Sequence, residues 1–90
     1  MRLGRVVGTV VATRKNESLV GFKLLVLDVL DAVTGAPVGD RVVAVDDLGA
    51  GVCDTVLYVT GGGSRVTLEN RSVAIDAAIV GIVDTVDIHE

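Results

Sequence analysis

Phe22-Lys23-Leu24-Leu25-Val26-Leu27-Asp28-Val29-Leu30 is the stretch on which the fold turns. In an extended chain successive side chains point to opposite sides, so Phe22, Leu24, Val26 and Leu30 share one face and Leu25, Leu27 and Val29 the other. Both faces are apolar and both require cover. In a large α/β protein, layers of helices supply it, but a chain of 90 residues has no room for them. The economical solution is a strand whose inner face lines a small barrel and whose outer face meets another copy of the chain. Each such Leu or Val is worth roughly 1.5–3 kcal/mol on burial, so leaving several wet costs more than a small domain can spare.

Strand-like segments extend on both sides. Between Arg2 and Thr13, Val6, Gly8, Val10 and Ala12 make a small apolar face, while Arg5, Thr9 and Thr13 interrupt the other. This start, basic and then apolar, has the outline of a signal peptide, but its β-branched residues and Gly8 favour a strand. Gly8 inside it predicts a sharp bend or a close backbone approach. Residues 14–18 form a polar turn and 31–40, with Thr34-Gly35-Ala36-Pro37, a second one. Arg41–Val45, Thr55–Thr60 and Ala78–Val86 supply three more strands, the last again two-sided, with Val80, Ile82 and Val86 opposed to Ile79 and Val83. Between the last two, Ser64 is placed to cap one short helical turn, Arg65 to Asn70. The expectation is a single domain over 1–90, all-β with one short helix: a five-stranded, partly open, OB-like barrel.

Composition narrows the function. Half of the chain is hydrophobic, yet it holds one Phe, one Tyr, one His and no Trp, leaving little catalytic equipment. No enzyme activity and no cofactor are expected. A net charge of −4 with scattered Arg and Lys argues against nucleic acid, whose phosphates need clustered cations. No run approaches the ~20 apolar residues that cross a bilayer, so no membrane partner is expected and the chain reads as cytoplasmic. Lone Cys53 has no disulfide partner or activating neighbour in the sequence, and His89 stands next to the terminus without companions. Asp46 with Asp47 and Asp84 with Asp87 match no metal-loop spacing and read as capping or solvated groups.

Two glycine loops remain, Gly49-Ala50-Gly51 and Gly61-Gly62-Gly63-Ser64-Arg65. Successive amides in such loops can cradle an anion, which gives an alternative function, a small-anion or metabolite site at subunit boundaries. Close packing near a symmetry axis is the preferred use for Gly49, Ala50 and Gly51. The subunit contact is assigned to Leu25, Leu27, Val29, Arg65, Ile79 and Val83.

Taken together, Gly4-x-Val6-x-Gly8-x-Val10-Val11-Ala12-Thr13-x-Lys15, Leu19-x-Gly21-x-Lys23-Leu24-Leu25, Asp46-x-Leu48-Gly49-Ala50-Gly51 and Asp76-Ala77-x-Ile79-Val80-Gly81-Ile82-Val83-Asp84-x-Val86 resemble, in order and spacing, the vertex proteins of bacterial microcompartments. These are the pentameric shell family of carboxysomes and ethanolamine-utilisation compartments. The resemblance spans nearly the whole chain. It implies a homopentamer that closes the corners of a polyhedral shell otherwise paved by hexameric subunits. A closed ring needs heterologous contacts, one face of each copy meeting a different face of the next. Departures fall in loops: Gly61 to Arg65, Ala74 and Cys53.

Overall fold

A computed structural model of the chain describes residues 1–13, 15, 17–61, 66–68, 71–73 and 76–89, with the side chains of Ser18 and of 66–68 and 71–73 excepted. Strands β1 (Arg2–Val10), β2 (Lys23–Leu30), β3 (Pro37–Asp46), β4 (Thr55–Thr60) and β7 (Ala77–Ile82) close a barrel in the order β1-β2-β3-β7-β4, while β5 (Val66–Leu68) and β6 (Arg71–Val73) pair as a separate small hairpin. The barrel is closed, not partly open. The helical turn expected from Arg65 to Asn70 is replaced at Val66–Leu68 by a strand, as β-branched Val66 and Thr67 prefer; Ser64, Arg65 and Asn70 lie outside the described residues. A short 3₁₀ turn, Glu17–Leu19, sits instead between β1 and β2.

Alternation decides the core. Val6, Leu25, Leu27, Val29, Ala44, Val56, Tyr58 and Ile79 point inward and form one buried cluster with Ala50 and Ala77. The opposite face of β2 is only partly free, because Phe22, Val45 and Ala78 are buried with Leu19, Leu24 and Val59 in a second cluster against the outer wall. Leu19 of the 3₁₀ turn thus helps cover the outer face with the chain's own residues. What stays exposed is a reduced set, including Val43, Val80 and Ile82.

Two glycines set the strand geometry. At Gly8 the β1–β2 register shifts between Val6 and Gly8, the predicted bend. Gly4 is a tighter constraint, one the sequence does not announce. A Cβ there meets the Asp28 carbonyl oxygen at 3.2 Å, Tyr58 Cε1 at 3.2 Å and Leu27 Cβ at 3.3 Å. The carbonyl is held in the β1–β2 ladder and cannot easily yield, so Gly4→Ala is expected to lower stability by about 1–3 kcal/mol, read from the urea midpoint.

The β2–β3 connection is shorter than predicted, since β3 begins at Pro37 rather than Arg41. Asp31 organises its turn by accepting bonds from the amides of Thr34 (2.9 Å) and Val33 (2.8 Å). These two bonds, Thr34's first, hold the Asp31 carboxyl below its ordinary range. The last strand also differs, ending at Ile82, four residues before Val86.

Candidate functional site

Asp46 is the one buried charged residue among those described, and a loop is built around it. Its carboxylate accepts from the amides of Leu48 (3.0 Å), Gly49 (3.1 Å) and Ala50 (2.9 Å). Gly49 takes φ +90°, which a side chain resists, and lets the loop fold back onto the carboxylate. Lys23 closes the arrangement from β2, donating to the Ala50 carbonyl at 2.8 Å with its Nζ 3.8 Å from Asp46 Oδ2. The opposite charge and three donors compensate the carboxylate for lost water.

This geometry redirects the reading of Gly49, Ala50 and Gly51. Their cradle of amides already holds an internal anion, so this loop does not support the alternative of an external anion site. Ala50 is completely buried in the barrel core, and a residue hidden within its own chain cannot line an opening on a ring axis. Gly49 remains exposed at the loop's tip, next to half-exposed Leu48, and Gly51 donates its amide to Asp54 Oδ2 at 2.9 Å. The second glycine loop is described only at Gly61, whose amide donates to the Asp76 carbonyl at 2.8 Å.

Cys53 stands at the end of the same loop, exposed, with φ 77°, the only positive value outside glycine among the described residues. Its amide donates to the Val6 carbonyl and the Val6 amide to the Asp54 carbonyl, so the backbone there is locked to β1. Cys53→Gly is expected to raise stability by up to about 1 kcal/mol, and Cys53→Val to lower it by about 1–2 kcal/mol, in urea unfolding; equal midpoints for the two variants contradict this. The thiol therefore sits where backbone geometry, not chemistry, is demanding.

The residues assigned to the subunit contact need correction. Leu25, Leu27, Val29 and Ile79 are all buried inside the barrel, at 3% exposure or less. β2 and β7 do have two apolar faces, and these residues lie on the inner one, where they are not available to a partner. Val83 is half-buried just past β7, its amide donating to the Thr55 carbonyl at 2.8 Å, and Arg65 lies outside the described residues. Among the exposed hydrophobic residues are Val43 and Val80, each 44% exposed, with Ile82, Val86 and Ile88 in the same range, beside more exposed loop and strand-end residues such as Val11 and Val33. On the outer wall Arg5, Asp28 and Arg41 form a cross-strand row, Arg41 Nε donating to Asp28 Oδ1 at 2.7 Å.

A scaffold with a filled core, an occupied amide cradle and a belt of exposed Val and Ile is equipped for association. Comparison with known proteins agrees. The family described as "Ethanolamine utilisation protein EutN/carboxysome" matches residues 1–84. The microcompartment shell vertex protein GrpN of Rhodospirillum rubrum is 48% identical, over 97% of this chain and 97% of that protein. Its solved structure, titled a pentameric microcompartment shell protein, superposes with a TM-score of 0.82 at 47% identity, covering all of both chains. The structure of CcmL from Gloeobacter violaceus, a carboxysome shell vertex protein, gives a TM-score of 0.84 at 40% identity over 98% of this chain and 90% of that one.

Proposed function

From the premise that this chain belongs to the EutN/carboxysome family of microcompartment shell vertex proteins, we infer that it is a structural subunit, five copies of which close into a ring capping the vertices of a bacterial microcompartment. The observation that carries this reading is full-length similarity to a pentameric shell protein, joined to the exposed Val43, Val80, Ile82, Val86 and Ile88 that a ring has reason to cover. Its place is the compartment shell within the cytoplasm. The protein acts by shape and carries out no reaction. Its neighbours in the shell are hexameric subunits, because a sheet of hexagons is flat and closes only where five-fold units are inserted.

Co-assembly tests this directly. Hexameric shell subunits expressed with the chain are expected to give closed polyhedral bodies in electron micrographs, and without it open sheets or tubes. Closed bodies of the same shape in both cases contradict the assignment.

A further inference from the structure

Barrel order places two incompletely covered surfaces on different faces. In the closed order β1-β2-β3-β7-β4, β1 is flanked by β2 and β4, so β3 and β7 lie across from it. On the β1 side the chain leaves the barrel through the Val83–Thr55 bond, and residues 84–89 then run on without helix or strand, all exposed. Their sequence is nonetheless strand-like, since Thr85, Val86 and Ile88 are β-branched and Val86 and Ile88 fall on one side. This arm stands over Leu3, Leu30 and Val33 without packing down: a gap of about 270 Å³ remains, and Val86 and Ile88 stay 49% and 47% exposed. On its own barrel the arm is thus only half covered.

On the β3 side lies a seat that none of the described residues fills. β3 pairs with β2 along its length, but with β7 it shares one registered pair, Val45 with Ala78. Its other edge, residues 37–43, therefore has no strand partner among the described residues. A groove beside this edge is lined by Val42, Val43, Gly61, Asp76 and Ala77, and Val43 and Val80 project from the same wall. Arg41 donates to Asp28 through Nε, and with 68% of its side chain exposed the rest of the guanidinium is accessible to Asp84 or Asp87 of an arm. Asp40 and Asp76 lie close by, so apolar contact rather than charge supplies most of the attraction.

We propose that in the ring the carboxy-terminal arm of each copy, residues 84–89, docks along the open β3 edge and the β3–β7 wall of the next copy. The inference rests on the ring reading above and adds to it which two faces meet. Two different faces are what a heterologous contact requires, and strand addition at a free edge is a standard way for an extended segment to bind.

Two double variants test it, Val86→Asp with Ile88→Asp on the arm and Val43→Asp with Val80→Asp on the wall. All four positions are outside the core, so each variant is expected to keep the circular dichroism and melting of a folded chain; truncation after Val83 serves if the arm variant does not. Burying two carboxylates in place of two aliphatic side chains is expected to raise the concentration of half-assembly at least about a hundredfold. Light scattering then reads monomers for each variant alone. When the two are mixed, one intact arm meets one intact wall, and the expected product is a dimer that grows no further. Variants that still form five-fold rings at the original concentration, or a mixture that stays monomeric, overturn the proposal while the native chain's pentamer leaves the ring reading standing. A native chain that is itself monomeric overturns both.

Discussion

Leu27→Asp is expected to abolish the folded barrel, and not only the ring. Leu27 has no exposed surface, pairs with Val6 on one side and Val42 on the other, and sits against the position where Gly4 leaves no room for a side chain. Truncating such a leucine to alanine costs about 2–5 kcal/mol, and an isolated carboxylate in the same place costs several more. A domain of this size holds only about 5–15 kcal/mol in all. Circular dichroism is expected to show loss of the β signal and no cooperative melting at any protein concentration. Were Leu27 a subunit contact, the variant would be a well-folded monomer, and that result contradicts the inward orientation of Leu25, Leu27 and Val29.

Asp46→Ala is the second large effect, at about 3–5 kcal/mol. The substitution leaves the amides of Leu48, Gly49 and Ala50 without their acceptor, and the Ala50 amide is buried. It also removes the carboxylate that faces Lys23. Asp46→Asn keeps one oxygen acceptor and is expected to lose roughly half as much. Urea unfolding gives the magnitude, and faster proteolysis within residues 47–53 gives the location. A loss below about 1 kcal/mol for Asp46→Ala means that the loop is held by other contacts.

How much of this was legible in the sequence differs from element to element. The two-sided pattern of residues 22–30 pointed to a barrel strand, and the barrel is there, yet alternation is symmetric and does not say which face is inner. Asp28, a charge in mid-strand on the face of Leu24 and Val26, marked the outer side; Lys23, on the other face but at the strand's end, blurred it. The same ambiguity reversed Ile79 and Val80 on β7. Asp46 carried a usable sign, an acidic residue three positions before a glycine, as in a turn closed by side-chain bonds, but only the fold reveals that the anion is internal. At Val66–Leu68 the β-branched pair Val66 and Thr67 outweighs the helix signal that Ser64 offers as a cap. Gly4 could not be foreseen, since its crowding comes from the Asp28 backbone and the ring of Tyr58, brought together only by closure. Neither could the free length of the β3 edge, which depends on how little of that strand β7 covers.

Tyr58 shows where closure has a cost: its ring fills the core with no exposure, while its hydroxyl has no hydrogen-bond partner among the described residues. The aromatic ring's packing outweighs the orphaned group, as is usual for a large buried side chain.

Light scattering on the purified native chain at micromolar concentration weighs the central claim most directly. A single species with five times the mass of one chain is the predicted result. A stable monomer, folded and with Val43, Val80, Val86 and Ile88 facing water, contradicts it.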